Sequence, residues 1–226
     1  MAISRYRVRF QKRDALRFIS HHDLMRVFEL ALRRSGLKVA FTQGFNPHPR
    51  LSFALALPLG VESLDEIVDI DLEHGQEPLD PAQLVTTLSL QMPPGLVLLE
   101  AVIATKRPRV AAAEYQCELP QNADPDELQA RLQALLASET HAFTRSRGEA
   151  KAARNFDARA FVLAASLQGR TLSMRLKTGA DGGMKPSDLL QILGLDATAI
   201  LVTKTKTVLA PDLPPDAPSE PGEQVQ

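Results

Sequence analysis

A single cysteine, Cys117, stands among 226 residues, so no internal disulfide can form. One thiolate also cannot hold an iron–sulfur cluster, which excludes a radical enzyme that carries its own cluster. The five histidines, His21, His22, His48, His74 and His141, show no HExxH spacing, and no CxxC pair accompanies them. Neither a metal site nor an intrinsic cofactor is expected. Uninterrupted apolar runs of about 18 residues, the length a membrane-crossing helix needs, are absent. The opening MAISRYRVRFQKR alternates charged with apolar residues, where a secretory leader needs a continuous apolar block. The expectation is a cytoplasmic protein with no membrane partner.

Positive charge is missing from residues 51–102, which hold nine acids and no Lys or Arg, whereas residues 1–50 hold eleven Lys/Arg against three acids. The overall net charge of −1 conceals this polarity. Such an asymmetry points either to a polyanionic partner or to internal pairing of the two blocks. A chain of this length with 44% apolar residues can bury a substantial core.

Residues Arg5–Gln11 alternate strictly, with Tyr6, Val8 and Phe10 on one face and Arg5, Arg7 and Arg9 on the other, the signature of a half-buried strand. Ser20 is placed to cap a helix through Ser35, with Leu24, Val27, Phe28, Ala31 and Leu32 inward and Gly36 as the stop. Short strands are expected at 37–41 and 51–57, an alternating strand at 66–73, a helix at 80–91 and a strand at 96–104. This order is a split βαββαβ motif with a hairpin inserted near its middle. After the basic connector Lys106–Arg109 the order recurs: strand 113–119, helix 124–137, strands 140–144, 160–167 and 171–177, helix 186–193 and strand 200–207. The expected fold class is α+β, two tandem ferredoxin-like halves with antiparallel sheets. The first covers 1–105 and the second 110–208; the proline-rich stretch 209–226 is expected to be a disordered tail.

Several residues are candidates for function. Three guanidinium groups on one strand face need anions to answer them; RNA phosphates are one answer, and Asp69 and Asp71 on a neighbouring strand are another. In SHHDL, residues 20–24, Asp23 suits a capping box with Ser20. His21 in the first helical turn feels the positive end of the helix dipole, which keeps the imidazole neutral and able to act as a base. In GFNPHPR, residues 44–50, prolines on both sides of His48 stiffen the loop, and Phe45 offers a stacking face for a base; a rigid connector with His48 merely exposed is the plainer alternative. The glycines at 179, 182 and 183, with Lys185, precede a helix but depart from phosphate-loop spacing and read more readily as an ordinary loop. Cys117 falls within an expected strand, where buried thiols are inert.

The stretches RFISHHDLMRVFELALRRSGL, FTQGFNPHPRLSFALALPLGVES and DEIVDIDL, with FDARAFV, GGMKPSDLL and TKTKT, together resemble the radical-SAM-associated family of unknown function, found fused to or encoded beside cobalamin-binding radical SAM proteins. The likeness spans residues 3–207. Ser20, His21, Asp23 and Leu24 fit the family's Ser-His-Leu-Asp-Leu pattern, which His22 interrupts. Arg33 and Arg34 keep its basic run, while Leu30 stands where an arginine is common. The resemblance implies a cobalamin-binding radical SAM partner. The family's gene neighbours, a ribonuclease of the E/G type and large-subunit ribosomal proteins, imply RNA. The reading is an accessory module that recognises tRNA or rRNA for a separate radical SAM protein, with Arg5, Arg7, Arg9, Arg33, Arg34 and Arg50 on phosphates and Phe45 and His48 on a base. The alternative is a metal-independent endonuclease using His21 or His48 as general base. A scaffold whose charged blocks neutralise one another is the third reading.

Overall fold

The computed structural model describes residues 2–145, 153–178 and 183–210. The first strand, β1 (Ala2–Lys12), buries Tyr6, Val8 and Phe10 completely and leaves Arg5, Arg7 and Arg9 half-exposed on the other side. Helix α1 (His21–Ser35) starts where the SHHDL segment supplies a cap: Ser20 Oγ accepts from the Asp23 amide at 3.1 Å, and Asp23 Oδ2 accepts from the Ser20 amide at 3.2 Å. It buries Leu24, Phe28, Ala31 and Leu32 and stops at Gly36, whose φ of 72° suits a residue without Cβ. Strands β2 (Leu51–Phe53) and β3 (Glu62–His74), helix α2 (Pro81–Ser89) and strand β4 (Leu96–Ile103) follow. The chain then runs through β5 (Val110–Glu118), α3 (Pro125–Ala137), β6 (Ala142–Arg145), β7 (Arg154–Asp157), β8 (Val162–Gln168), β9 (Thr171–Lys177), α4 (Pro186–Ile192) and β10 (Val202–Leu209).

The result is a mixed α+β fold built on one mostly antiparallel sheet of eight strands, ordered β4-β1-β3-β10-β5-β9-β8, with β2 added on β3. Sequence order led us to expect a separate sheet in each half. Instead β10 lies parallel to β3, at Thr203 opposite Glu62 and Lys204 opposite Ser63, and joins them. Two apolar cores remain distinct. Tyr6, Val8 and Phe10 pack with Phe28 and Leu32 of α1 and Leu84 and Leu88 of α2. Tyr115 and Met174 pack with Leu128 and Leu132 of α3 and Leu189 of α4.

Three local expectations are corrected. Residues 37–41 make only single bridges, Val39 with Leu72 and Phe41 with Pro49. The strand expected to Leu57 ends at Phe53, because β10 occupies the same edge of β3 further along, at Glu62 and Ser63. The inserted hairpin belongs to the second half, where β6 pairs with β7 as a separate two-stranded sheet. The sequence RNFD of β7 has one apolar residue and therefore no alternation to read. The expected disordered tail falls, from residue 211 onward, outside the described residues. Among the described residues no helix is long and apolar enough to cross a membrane.

Polar groups hold the seam between the cores. Lys204 is fully buried with its Nζ 2.5 Å from Glu66 Oε1, and it donates to Thr207 Oγ1 at 2.9 Å. The Thr207 amide in turn donates to Asp65 Oδ2 at 2.7 Å. Truncating one partner of a buried ion pair strands the other charge in a medium that solvates it poorly. Lys204→Ala is therefore expected to lower the unfolding free energy by about 3–5 kcal/mol in urea titrations, and Glu66→Leu combined with Lys204→Met by much less. Equal losses in the two variants would contradict this assignment.

Candidate functional site

The arginine ladder finds its partners within the chain. Antiparallel pairing of β1 with β3 sets Arg5 opposite Asp71 and Arg7 opposite Asp69. Arg5 grips Asp71 with two hydrogen bonds, 2.8 and 3.2 Å, and Arg7 grips Asp69 with two, 3.0 and 3.3 Å. Arg9 lies 2.5 Å from Asp65 and 3.3 Å from Glu100, while Arg50 reaches Asp71 at 3.0 Å and Arg17 reaches Glu62 at 3.5 Å. The hydrogen bond with Asp71 raises the pKa of Arg5 further. Of the two answers the sequence allowed for the ladder, the cross-strand carboxylates are the ones in contact.

Unanswered charge lies elsewhere, on the outer face of α1. A groove of about 1300 Å³ runs between that face and the 41–49 loop. Its polar rim comprises His22, Arg26, Arg33, Lys38 and His48, with Glu29 and Glu73 as the acids; Met25, Leu37, Val39, Phe41 and Pro49 line its apolar parts. Arg26, Arg33, Arg34 and Lys38 are exposed, and no ion pair ties them to a carboxylate among the described residues. The loop is braced by its own polar groups: the Thr42 amide donates to the His48 carbonyl at 2.9 Å, and the His48 amide donates to Thr42 Oγ1 at 3.0 Å. Its foot is stitched into β3 through the Ala40 amide on the Asp71 carbonyl and the Asp71 amide on the Arg50 carbonyl. Phe41 is 53% exposed beside the groove, and Phe45 stands fully exposed near the tip of the loop.

The predicted site residues thus divide. Arg33 and His48 meet at the groove, Arg34 follows on the same helix end, and Phe45 lies in the loop that forms one wall. Arg5, Arg7, Arg9 and Arg50 sit among carboxylates. His21 points away from the groove: it is half-buried, its ring 5.2 Å from that of Phe53, and burial pushes its pKa down, with His22 and Lys12 adding to the effect and Glu66 opposing it. The same interior holds Lys12, almost fully buried, which donates to the Ile19 carbonyl and whose pKa burial also lowers. Sequence reading missed His22, Arg26, Lys38 and Phe41. The helical spacing of His22, Arg26, Glu29 and Arg33, one stripe on the side opposite Leu24 and Phe28, was the signal that could have found the first two of them.

The remaining sequence candidates are accounted for locally. At the start of α4 the Asp188 carboxylate accepts from the Lys185 amide at 2.7 Å and pairs with Arg145, an in-chain cap that fits the favoured reading of an ordinary loop and helix start. Gly179 and Gly182 of that loop lie outside the described residues. Cys117 is buried in β5, and burial pushes its thiol up to about 11, far from a reactive thiolate at neutral pH. Among the described residues no group of three or more His, Cys, Asp or Glu is arranged to hold a metal ion.

The sequence model of a family described as "Uncharacterized protein conserved in bacteria (DUF2344)" matches residues 5–186. The chain belongs to that family. The match takes in the capped start of α1, the braced loop and the whole charged ladder, so groove and ladder both lie inside the family's extent. A crystal structure described as an unknown protein from Galdieria sulphuraria is similar over 90% of this chain and 98% of its own, at 13% identity and a TM-score of 0.30. No curated protein matches the chain.

His21 supplies a direct check on this interior. A base that burial holds neutral contributes stability that is fully present above its unfolded pKa of about 6.5 and is lost as pH falls below it. An NMR titration of the imidazole protons is expected to give His21 a midpoint below that of a free histidine. A midpoint at or above the free value would mean that the ring is solvated.

Proposed function

We propose that this DUF2344 protein is an RNA-recognition module whose contact surface is the groove between α1 and the 41–49 loop. The observation that carries this reading is the combination of unpaired cations with exposed aromatic rings around one apolar-lined groove. Phosphates are matched by Arg33, Arg34, Arg26 and Lys38, and unstacked bases by Phe41 and Phe45, a pairing suited to single-stranded RNA. His48, on the braced loop, offers a hydrogen bond to a base edge or a phosphate. Arg5, Arg7, Arg9 and Arg50, already held by carboxylates, serve to fix the sheet and the foot of the loop.

The tandem ferredoxin-like reading of the fold belongs to the same proposal. It is supported by strand order: β4-β1-β3-β2 in the first half and β10-β5-β9-β8 in the second, both 4-1-3-2 when each half's strands in the main sheet are numbered in turn and the β6–β7 hairpin is left out. By its resemblance to radical-SAM-associated proteins, the module presents tRNA or rRNA to a separate cobalamin-binding radical SAM partner in the cytoplasm. The partner would supply the chemistry, with no intrinsic cofactor in this chain.

RNA affinity is expected to fall linearly with salt on logarithmic axes, with a slope of about −0.7 for each single-strand phosphate contact. Arg33→Ala with Arg34→Ala should flatten it by about 1.4. A flat dependence for the native chain, or an unchanged slope in the double variant, would defeat the proposal. The same incubation with labelled RNA and a chelator tests the endonuclease alternative, in which only His48 of the two proposed bases lines the groove. The module should shift the RNA intact, and cut fragments abolished by His48→Ala would favour the enzyme.

A further inference from the structure

Cations from three distant segments converge at one end of the sheet. Helix α1 runs back against β1, so Arg33 and Arg34 in its last turn lie at the end where β1 begins. Because β3 and β4 are antiparallel to β1, they finish at that end; β10, parallel to β3, finishes there too, β5 starts there, and β9 finishes there with Lys177. The connector at residues 104–109 must leave β4 and enter β5, which stand four positions apart in the sheet. Four strand spacings of about 4.8 Å make roughly 19 Å. Seven residue steps reach at most about 25 Å when fully extended, so the connector is drawn out across the sheet.

It is also tied down along its course. The Ala104 amide donates to the Arg5 carbonyl at 2.9 Å, Arg7 Nη2 donates to the Lys106 carbonyl at 2.5 Å, and the Ala210 amide donates to the Arg109 carbonyl at 2.7 Å. Lys106, Arg107 and Arg109 are exposed, as is Lys177, and among the described residues no ion pair joins any of them to a carboxylate. Glu73 lies next to the last residue of β3, and Glu77 and Asp80 follow it; these three acids are fewer than the cations gathered there.

We propose that Lys106, Arg107, Arg109 and Lys177 form a phosphate track that continues from the Arg33/Arg34 end of the groove, so that one RNA strand lies across both halves of the sheet. This rests on the RNA reading of the groove and extends it to the second half, which contributes no residue to the groove itself. Three cations on an extended, anchored segment, with Lys177 at the end of β9 beyond it, suit the regular negative charge of a nucleic-acid backbone, whereas a compact anion would engage one or two of them. The ladder acquires a second consequence, since Arg7 bonded to Asp69 is also the group that holds the connector in place.

Oligonucleotides of two lengths test the track in the full chain. One of about 4 nucleotides fills the groove alone, and one of about 16 reaches across the sheet. Lys106→Ala/Arg107→Ala/Arg109→Ala is expected to leave affinity and salt slope for the short RNA unchanged and to flatten the slope for the long one by about 2. Lys177→Ala, on a different element, should flatten it by about 0.7 without touching the connector. An unchanged slope for the long RNA in both variants overturns the track while leaving the groove reading intact. A native chain that binds neither RNA overturns both.

Discussion

The antiparallel pairing of β1 with β3 is the constraint on which the rest depends. It places a row of guanidiniums directly against a row of carboxylates, and each bidentate contact is satisfied only in that register. A slip of one residue would turn Tyr6, Val8 and Phe10 away from the core and set the arginines against Val68 and Ile70. Hydrophobic burial on one face and charge matching on the other therefore specify the same alignment. Neither the α1 cap nor the loop brace does so by itself.

From that register the functional surface is assembled by exclusion. Five of the eleven cations in the first fifty residues, Arg5, Arg7, Arg9, Arg17 and Arg50, are engaged by carboxylates of the acidic block. Of the charge left exposed, Arg26, Arg33, Arg34 and Lys38 gather along α1 and just after it, beside a loop whose foot is bound to Asp71 through both main chain and Arg50, while Arg13 stands apart at the far end of β1. The groove is thus positioned by the same carboxylates that silence the ladder. The buried Glu66–Lys204 contact performs the corresponding task at the seam, where only two residue pairs of β3 and β10 form a ladder. Polar contacts carry much of the junction because the two apolar cores do not merge across it.

Much of this was legible before any coordinates. Strict alternation marked β1, the Ser20 to Asp23 spacing marked the start of α1, and Gly36 its end, since each is a local consequence of backbone geometry and side-chain capping. The charge polarity between residues 1–50 and 51–102 was equally plain, with both of its explanations. What escaped were features set by non-neighbours. The truncation of β2 at Phe53 depends on β10 occupying the adjacent edge, and β7 is a strand because β6 lies beside it. The groove escaped because His22, Arg26, Lys38 and Phe41 become a site only when the 41–49 loop folds back against α1.

By itself, then, the sequence determined most of the helices and longer strands, the caps of α1 and the alternation that divides β1 into an apolar and a charged face, all properties of residues within a few positions of one another. Only the tertiary structure decided which charges are spent. The energy of a guanidinium depends on the nearest carboxylate in space, and strand register brings Asp71 to Arg5 across 66 residues while leaving Arg33 with no ion-paired carboxylate among the described residues. The same one-dimensional pattern was compatible with phosphates or with carboxylates, and distance alone separates them.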